Sequence, residues 1–227
     1  MRALVILICC GIAGVAHAQF SLAAKAGYNT TTPVFTGNNK PGYDVQNGGG
    51  WQAGLYAERS LHKWFIYTGA GVVKNSFGTR SYYLGGDVET YYHPLYIDVS
   101  LGTGYQLSAG KNFAIKLYGG VYGQLGVAGK VKTINRLCGD YIACTEPPPG
   151  VTNVHNIDFK SGMGTLARTN AGLQFGAGLR AFNKVELVFM CNAGLGNVMP
   201  PGYNYTMHLT TVSINAKYAL IPFGKGR

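Results

Sequence analysis

Charge is what this sequence has least of. Only 12% of its residues are Asp, Glu, Lys or Arg, about half the usual share for a soluble globular protein. Long greasy runs are missing too. Past residue 18, no stretch reaches the roughly 18 consecutive apolar residues that a membrane-crossing helix needs, which excludes an α-helical membrane protein. Cysteine is sparse, with 5 in 227 residues, and no His or Cys at ligand spacing completes a metal site. Neither glycine run, Gly48-Gly49-Gly50 or Gly85-Gly86, is followed by a Walker-type Lys-Ser/Thr, so neither is a phosphate loop. No nucleophile motif marks a hydrolase. The sequence therefore points to no catalytic residue, no metal and no cofactor, and it is read as that of a protein other than an enzyme.

Glycine (34) and tyrosine (16) are abundant instead. The N-terminus reads as a cleaved signal peptide over residues 1–18: Arg2, an apolar run from Leu4 to Val15, then the small-residue site Ala16-His17-Ala18. Residues 19–227 then form one domain, of a size common for all-β barrels. Removing Arg2 from 19 cations leaves 18 against 9 anions, or +9. These cations are spread along the chain, which speaks against nucleic acid and for the anionic headgroups of outer-membrane lipid and lipopolysaccharide. An exported chain meets oxidising conditions, so Cys138 and Cys144, with five residues between them in a polar Pro-rich segment, are expected to form a disulfide. Cys191 is left over in an apolar strand.

The dominant signal is period two. In Phe113–Val127, the apolar Phe113, Ile115, Leu117, Val121, Leu125 and Val127 share one parity, while Lys116, Tyr118, Tyr122 and Gln124 share the other. Side chains of a strand alternate between faces, so one face is apolar and the other polar or small. Leu22–Tyr28, Trp51–Glu58, Leu95–Tyr105, Ala167–Leu179, Val185–Leu195 and Val212–Leu220 repeat it. Trp64–Val73 is less clean, with both parities partly apolar. That makes eight strands, several about ten residues long, the length needed to cross hydrocarbon at a tilt. Short connections (59–63, 106–112, 182–184) alternate with long ones (30–50, 76–89, 132–165, 196–207). The expected fold is all-β: an eight-stranded antiparallel up-and-down transmembrane β-barrel with short periplasmic turns and long external loops.

In such a barrel the polar parity points inward. Lys25, Glu58, Asp98, Lys116, Arg168, Arg180, Glu186 and Lys217 then form a lumen charge network, with Arg180 and Glu186 flanking one short turn and able to pair across it. Tyr28, Trp51, Trp64, Phe65, Tyr105, Phe113, Tyr218 and Phe223 fall near strand ends, where interfacial girdles of aromatics belong.

The chain resembles the outer-membrane β-barrel proteins of Bacteroidetes-type bacteria, which include the PorT-like family. The resemblance is one of pattern: the exported N-terminus, the strand-leading segment Tyr92-His93-Pro94-Leu95-Tyr96-Ile97-Asp98, the turn-into-strand Phe182-Asn183-Lys184-Val185-Glu186-Leu187, and the closing strand Tyr218-Ala219-Leu220-Ile221-Pro222-Phe223. It implies a barrel in the outer membrane of a Gram-negative bacterium. The expected role is structural, or binding a protein partner through the 132–165 loop. A narrow pore is the alternative, followed by a lipid- or peptide-modifying enzyme using His93, His155 or His208.

Overall fold

The computed structural model describes residues 20–37, 43–83, 86–110, 112–137, 150–159, 166–182, 184–199 and 205–221. The signal segment, Cys138, Cys144 and Phe223 lie outside the described residues. Nine strands follow one another: β1 (Phe20–Thr36), β2 (Tyr43–Leu61), β3 (Trp64–Tyr83), β4 (Gly86–Ser108), β5 (Phe113–Leu137), β6 (Val151–Asn156), β7 (Thr169–Ala181), β8 (Val185–Gly194) and β9 (Thr206–Ile221). Each barrel strand pairs antiparallel with its sequence neighbours. β1 pairs with β9 and β4 with β5, so β1–β5 and β7–β9 close a ring of eight strands. The short sixth strand stands outside that ring, pairing with the upper part of β5. This is the eight-stranded antiparallel up-and-down barrel that the alternating pattern requires.

The pleat sorts side chains as the period-two pattern demands. Lys116 is fully buried while its neighbour Leu117 is 49% exposed. The same alternation exposes Leu55, Ile66, Leu101, Val121, Phe175, Leu187 and Ile214 on the outer surface and buries Gln52, Glu58, Asp98, Gln174, Glu186 and Asn215 within. Trp64–Val73 looked irregular because its inward set is itself aromatic: Phe65 and Tyr67 are buried in the lumen. This corrects the girdle assignment of Phe65, which faces the bore while Trp64 faces out.

The two ends differ. At the end carrying the short turns, Leu61 pairs with Trp64 across a two-residue turn whose His62 adopts φ 60°, the left-handed conformation such hairpin turns use. Trp64 meets Tyr105 edge-on at 5.1 Å and Phe113 meets Phe182 at 5.6 Å along this rim. At the opposite end, the segments 30–50 and 76–89, expected as loops, are largely strand. β3 and β4 continue as one hairpin until Tyr83 pairs with Gly86, and β2, β5 and β6 extend alongside. The result is a five-stranded sheet, β2-β3-β4-β5-β6, standing above one side of the barrel. A bulge between Leu95 and Tyr96 in the β4–β5 ladder marks where barrel becomes sheet. Such an extra residue bends the strand and redirects its side chains.

Candidate functional site

The lumen is filled in three layers. The lowest holds Glu58 and Glu186 with Lys116, Arg180 and Lys217, brought from β2, β5, β7, β8 and β9. Arg180 stands opposite Glu186 in the β7–β8 ladder. It lies 3.4 Å from that carboxylate and 2.9 Å from Glu58. Lys116 pairs with Glu58 and lies 3.3 Å from Glu186, and Lys217 lies 3.2 Å from Glu186. Tyr118 donates its hydroxyl proton to Glu186 and accepts from Lys217. The ammonium of Lys217 sits 3.4 Å above the Tyr56 ring and that of Lys116 4.0 Å from the Phe65 ring. Three cations share two carboxylates in a buried site, and the aromatic faces supply the remaining negative potential.

The middle layer is polar. Lys25 donates to Gln52 Oε1 (3.4 Å); Gln124 donates to Asp98 Oδ1 (3.1 Å) and accepts from Asn170 (3.0 Å); Gln174 donates to the Tyr67 hydroxyl (2.8 Å). A cavity of about 20 Å³ remains among them, lined by Lys25, Gln52, Tyr67, Asp98 and Gln174. That is room for one water.

The upper layer is apolar. Phe77, Val131, Met207 and Leu209 point in from the strands, and Ile157, Leu166 and Val198 fold down from the connections, all buried in one cluster. Backbone bonds fix the connections in place: Ile157 N to Gly129 O (2.9 Å), Ala167 N to Val198 O (2.8 Å) and Val198 N to Met207 O (2.9 Å). This plug was not legible as such in the sequence, because its loop members carry no period.

Seven of the eight charges assigned to the lumen lie on inward positions. Arg168 does not join them. It precedes the first ladder pair of β7 and is exposed, because strand alternation acts only where a strand has begun.

A second cluster lies outside the bore, on the raised sheet. Arg80 (β3) and Arg136 (β5) close on Asp87 and Glu89 (β4) from both sides: 3.0 and 3.6 Å from Arg80, 3.0 and 3.2 Å from Arg136. Tyr91 donates to Glu89 (3.2 Å), and Tyr82 donates to Asp44 (2.7 Å) on β2. The hydrogen bond from Arg136 holds the Glu89 carboxyl below its ordinary 4.5. A carboxylate more acidic in the folded state stabilises above its unfolded value and loses that stabilisation as pH falls through the lowered one. Amide protection factors in residues 80–83 and 86–89 are therefore expected to fall below about pH 4 while those of the barrel strands hold. Protection factors that stay flat down to pH 2 would show the clamp to be idle.

The three histidines are not brought together. His93 is on β4, His155 on β6 and His208 on β9, where its ring contacts Thr206 and the Gly196 carbonyl. His93 Nδ1 lies 2.9 Å from the Ser76 hydroxyl, a neighbour the sequence did not suggest. Burial, then Lys74 and Lys132, push its acidity toward the neutral ring. No group of three or more His, Cys, Asp or Glu side chains is arranged to hold a metal among the described residues.

No protein-family model and no curated protein matches the sequence. Solved structures do match. Ail, the attachment invasion locus protein of Yersinia pestis, solved with the heparin analogue sucrose octasulfate, is 12% identical, with 89% of this chain and 99% of that one covered at a TM-score of 0.41. The outer membrane protein OprG of Pseudomonas aeruginosa is 14% identical over 90% and 97%, at 0.42. Neisserial surface protein A is 10% identical over 86% and 96%, at 0.35. These are likenesses of fold alone. The narrower PorT-like resemblance gains nothing from them.

Proposed function

We propose that this protein is an integral barrel of a Gram-negative outer membrane, with a closed bore, that acts through the sheet it raises above the membrane. One observation carries the membrane reading: charged side chains sit inside and large apolar ones outside on the ring strands. A water-soluble barrel has the opposite sense. On β4 the outward band runs from Tyr105 to Leu95. Ten residue steps of about 3.3 Å at a tilt near 40° make a height of about 25 Å, that of an outer-membrane apolar band. The aromatic rim of Trp64, Tyr105, Phe113 and Tyr218 edges it at the turn end, and Tyr28 and Trp51 stand out at the other. The signal peptide at 1–18 would deliver the chain there.

The filled lumen favours a binding or structural role over a pore. An ion would have to pass an apolar plug and then a layer of paired charges. The raised sheet, including residues 132–137 and 150–159 of the 132–165 segment, is the surface offered to a protein partner.

Heat-dependent gel mobility in detergent and planar-bilayer recording test this together. The folded protein is expected to migrate differently from the boiled one and to give no single-channel steps. Replacing residues 79–90 with an Asn-Gly turn, which joins the paired Gly78 and Tyr91, should leave the mobility shift intact. Steady unitary currents in the full chain would overturn the closed-bore reading. Detergent-independent solubility would overturn the membrane one.

A further inference from the structure

Among the described residues, lysines on the outer wall at and above the upper edge of the apolar band are confined to one flank. Lys74 follows the band residue Val72 on β3, and Lys130 and Lys132 follow Val127 and Ala128 on β5. The outward register places Lys74 level with Leu95 and Ala128. His93 and Lys130 occupy the next row, and Lys132 the one beyond. Only β4 separates the two lysine-bearing strands, a distance of about 10 Å at ordinary strand spacing, which flexible four-carbon stems span easily. His93 stands between them with Ser76 on its Nδ1. No salt bridge to a carboxylate is formed by any of the three lysines among the described residues, since Asp87 and Glu89 higher on the sheet are taken up by Arg80 and Arg136. The outward positions of β2, β8, β9 and β1 above the band carry no lysine or arginine among the described residues. Among the described residues the patch thus forms no ion pair, is local, and lies at the height where lipid headgroups begin.

We infer that Lys74, Lys130 and Lys132, with His93 between them, form a site for the phosphate of an outer-leaflet glycolipid headgroup. The inference rests on the membrane reading above and makes it more specific. A phosphate at this level would be met by three ammonium groups from two strands, whereas a diffuse positive surface would be spread around the ring.

The test uses the folded mature chain in a neutral detergent, titrated by native mass spectrometry with bisphosphorylated lipid A, the same lipid enzymatically dephosphorylated, and inorganic phosphate. The native chain is expected to bind the bisphosphorylated lipid at least about 10-fold more tightly than K74Q/K130Q/K132Q, given what each juxtamembrane lysine contributes at an anionic surface. The dephosphorylated lipid should not distinguish the two. R59Q/K63Q/K184Q, which removes three exposed cations at the short-turn end, should bind as the native chain does. Equal affinity of native and K74Q/K130Q/K132Q for the phosphorylated lipid would overturn the site. So would equal loss in both triple variants, which indicates net charge alone, or inorganic phosphate binding as tightly as the lipid, which indicates a soluble anion. Heat-dependent mobility of the same samples separates the two levels: if it persists while the affinities do not differ, the site fails and the membrane barrel stands.

Discussion

Glu186→Ala is expected to destabilise the folded barrel by about 3–5 kcal/mol, the usual cost of leaving buried charge without its partner. Glu186 holds Lys116, Arg180 and Lys217 at once. Without it the three buried cations are left with one carboxylate of this layer, Glu58, which pairs with Lys116 and Arg180. Tyr118 loses its acceptor as well. Glu186→Gln should fall nearly as far, because it preserves shape and removes charge, which separates electrostatics from packing. Lys217→Met should cost less, since it leaves two cations on two carboxylates. Urea unfolding in lipid vesicles, followed by the fluorescence of the outward-facing Trp51 and Trp64, reads all three. A loss under about 1 kcal/mol for both Glu186 variants would mean that water reaches this layer and screens it as it does a surface pair.

Leu101→Arg gives the second large effect. Leu101 is level with Val121 on β5, near mid-height of the band, and is 56% exposed. On a soluble protein an exposed leucine exchanged for arginine changes stability by about 0.5 kcal/mol or less. At the midplane of a bilayer the same exchange costs about 2–4 kcal/mol, falling to about 0–1 near the interface. Leu107→Arg, at the short-turn edge of the same strand, should therefore be nearly silent. The gradient between the two sites is the discriminating quantity. Two small, equal effects would remove hydrocarbon from the outside of this barrel.

The inside–outside pattern of the ring is legible in the sequence. Lys116 beside Leu117, and Arg180 six residues from Glu186 across a short turn, are local facts, and strand alternation turns them directly into inside and outside. The stretches 30–50 and 76–89 read as loops in the sequence because beyond the ring the outward face of the raised sheet turns polar. Tyr82, Asp87 and Glu89 take the outward positions that apolar residues hold lower down, and the period-two signal fades while the hydrogen-bond ladder continues. The apolar plug was hidden for the opposite reason. Ile157, Leu166 and Val198 are isolated in sequence and acquire meaning only where they meet Phe77 and Met207.

The residue order by itself determined which side chains share a face, because that depends on the two-residue pleat and on nothing distant. Tertiary structure decided which faces meet. Glu58 finds Lys116 fifty-eight positions away and Arg180 one hundred and twenty-two away only once β1 and β9 have closed the ring. The same closure seals the bore, while the β3–β4 and β4–β5 ladders bring Lys74 and Lys132 to His93, since a strand's register against its neighbours is set by the whole ladder and is not written in any one segment.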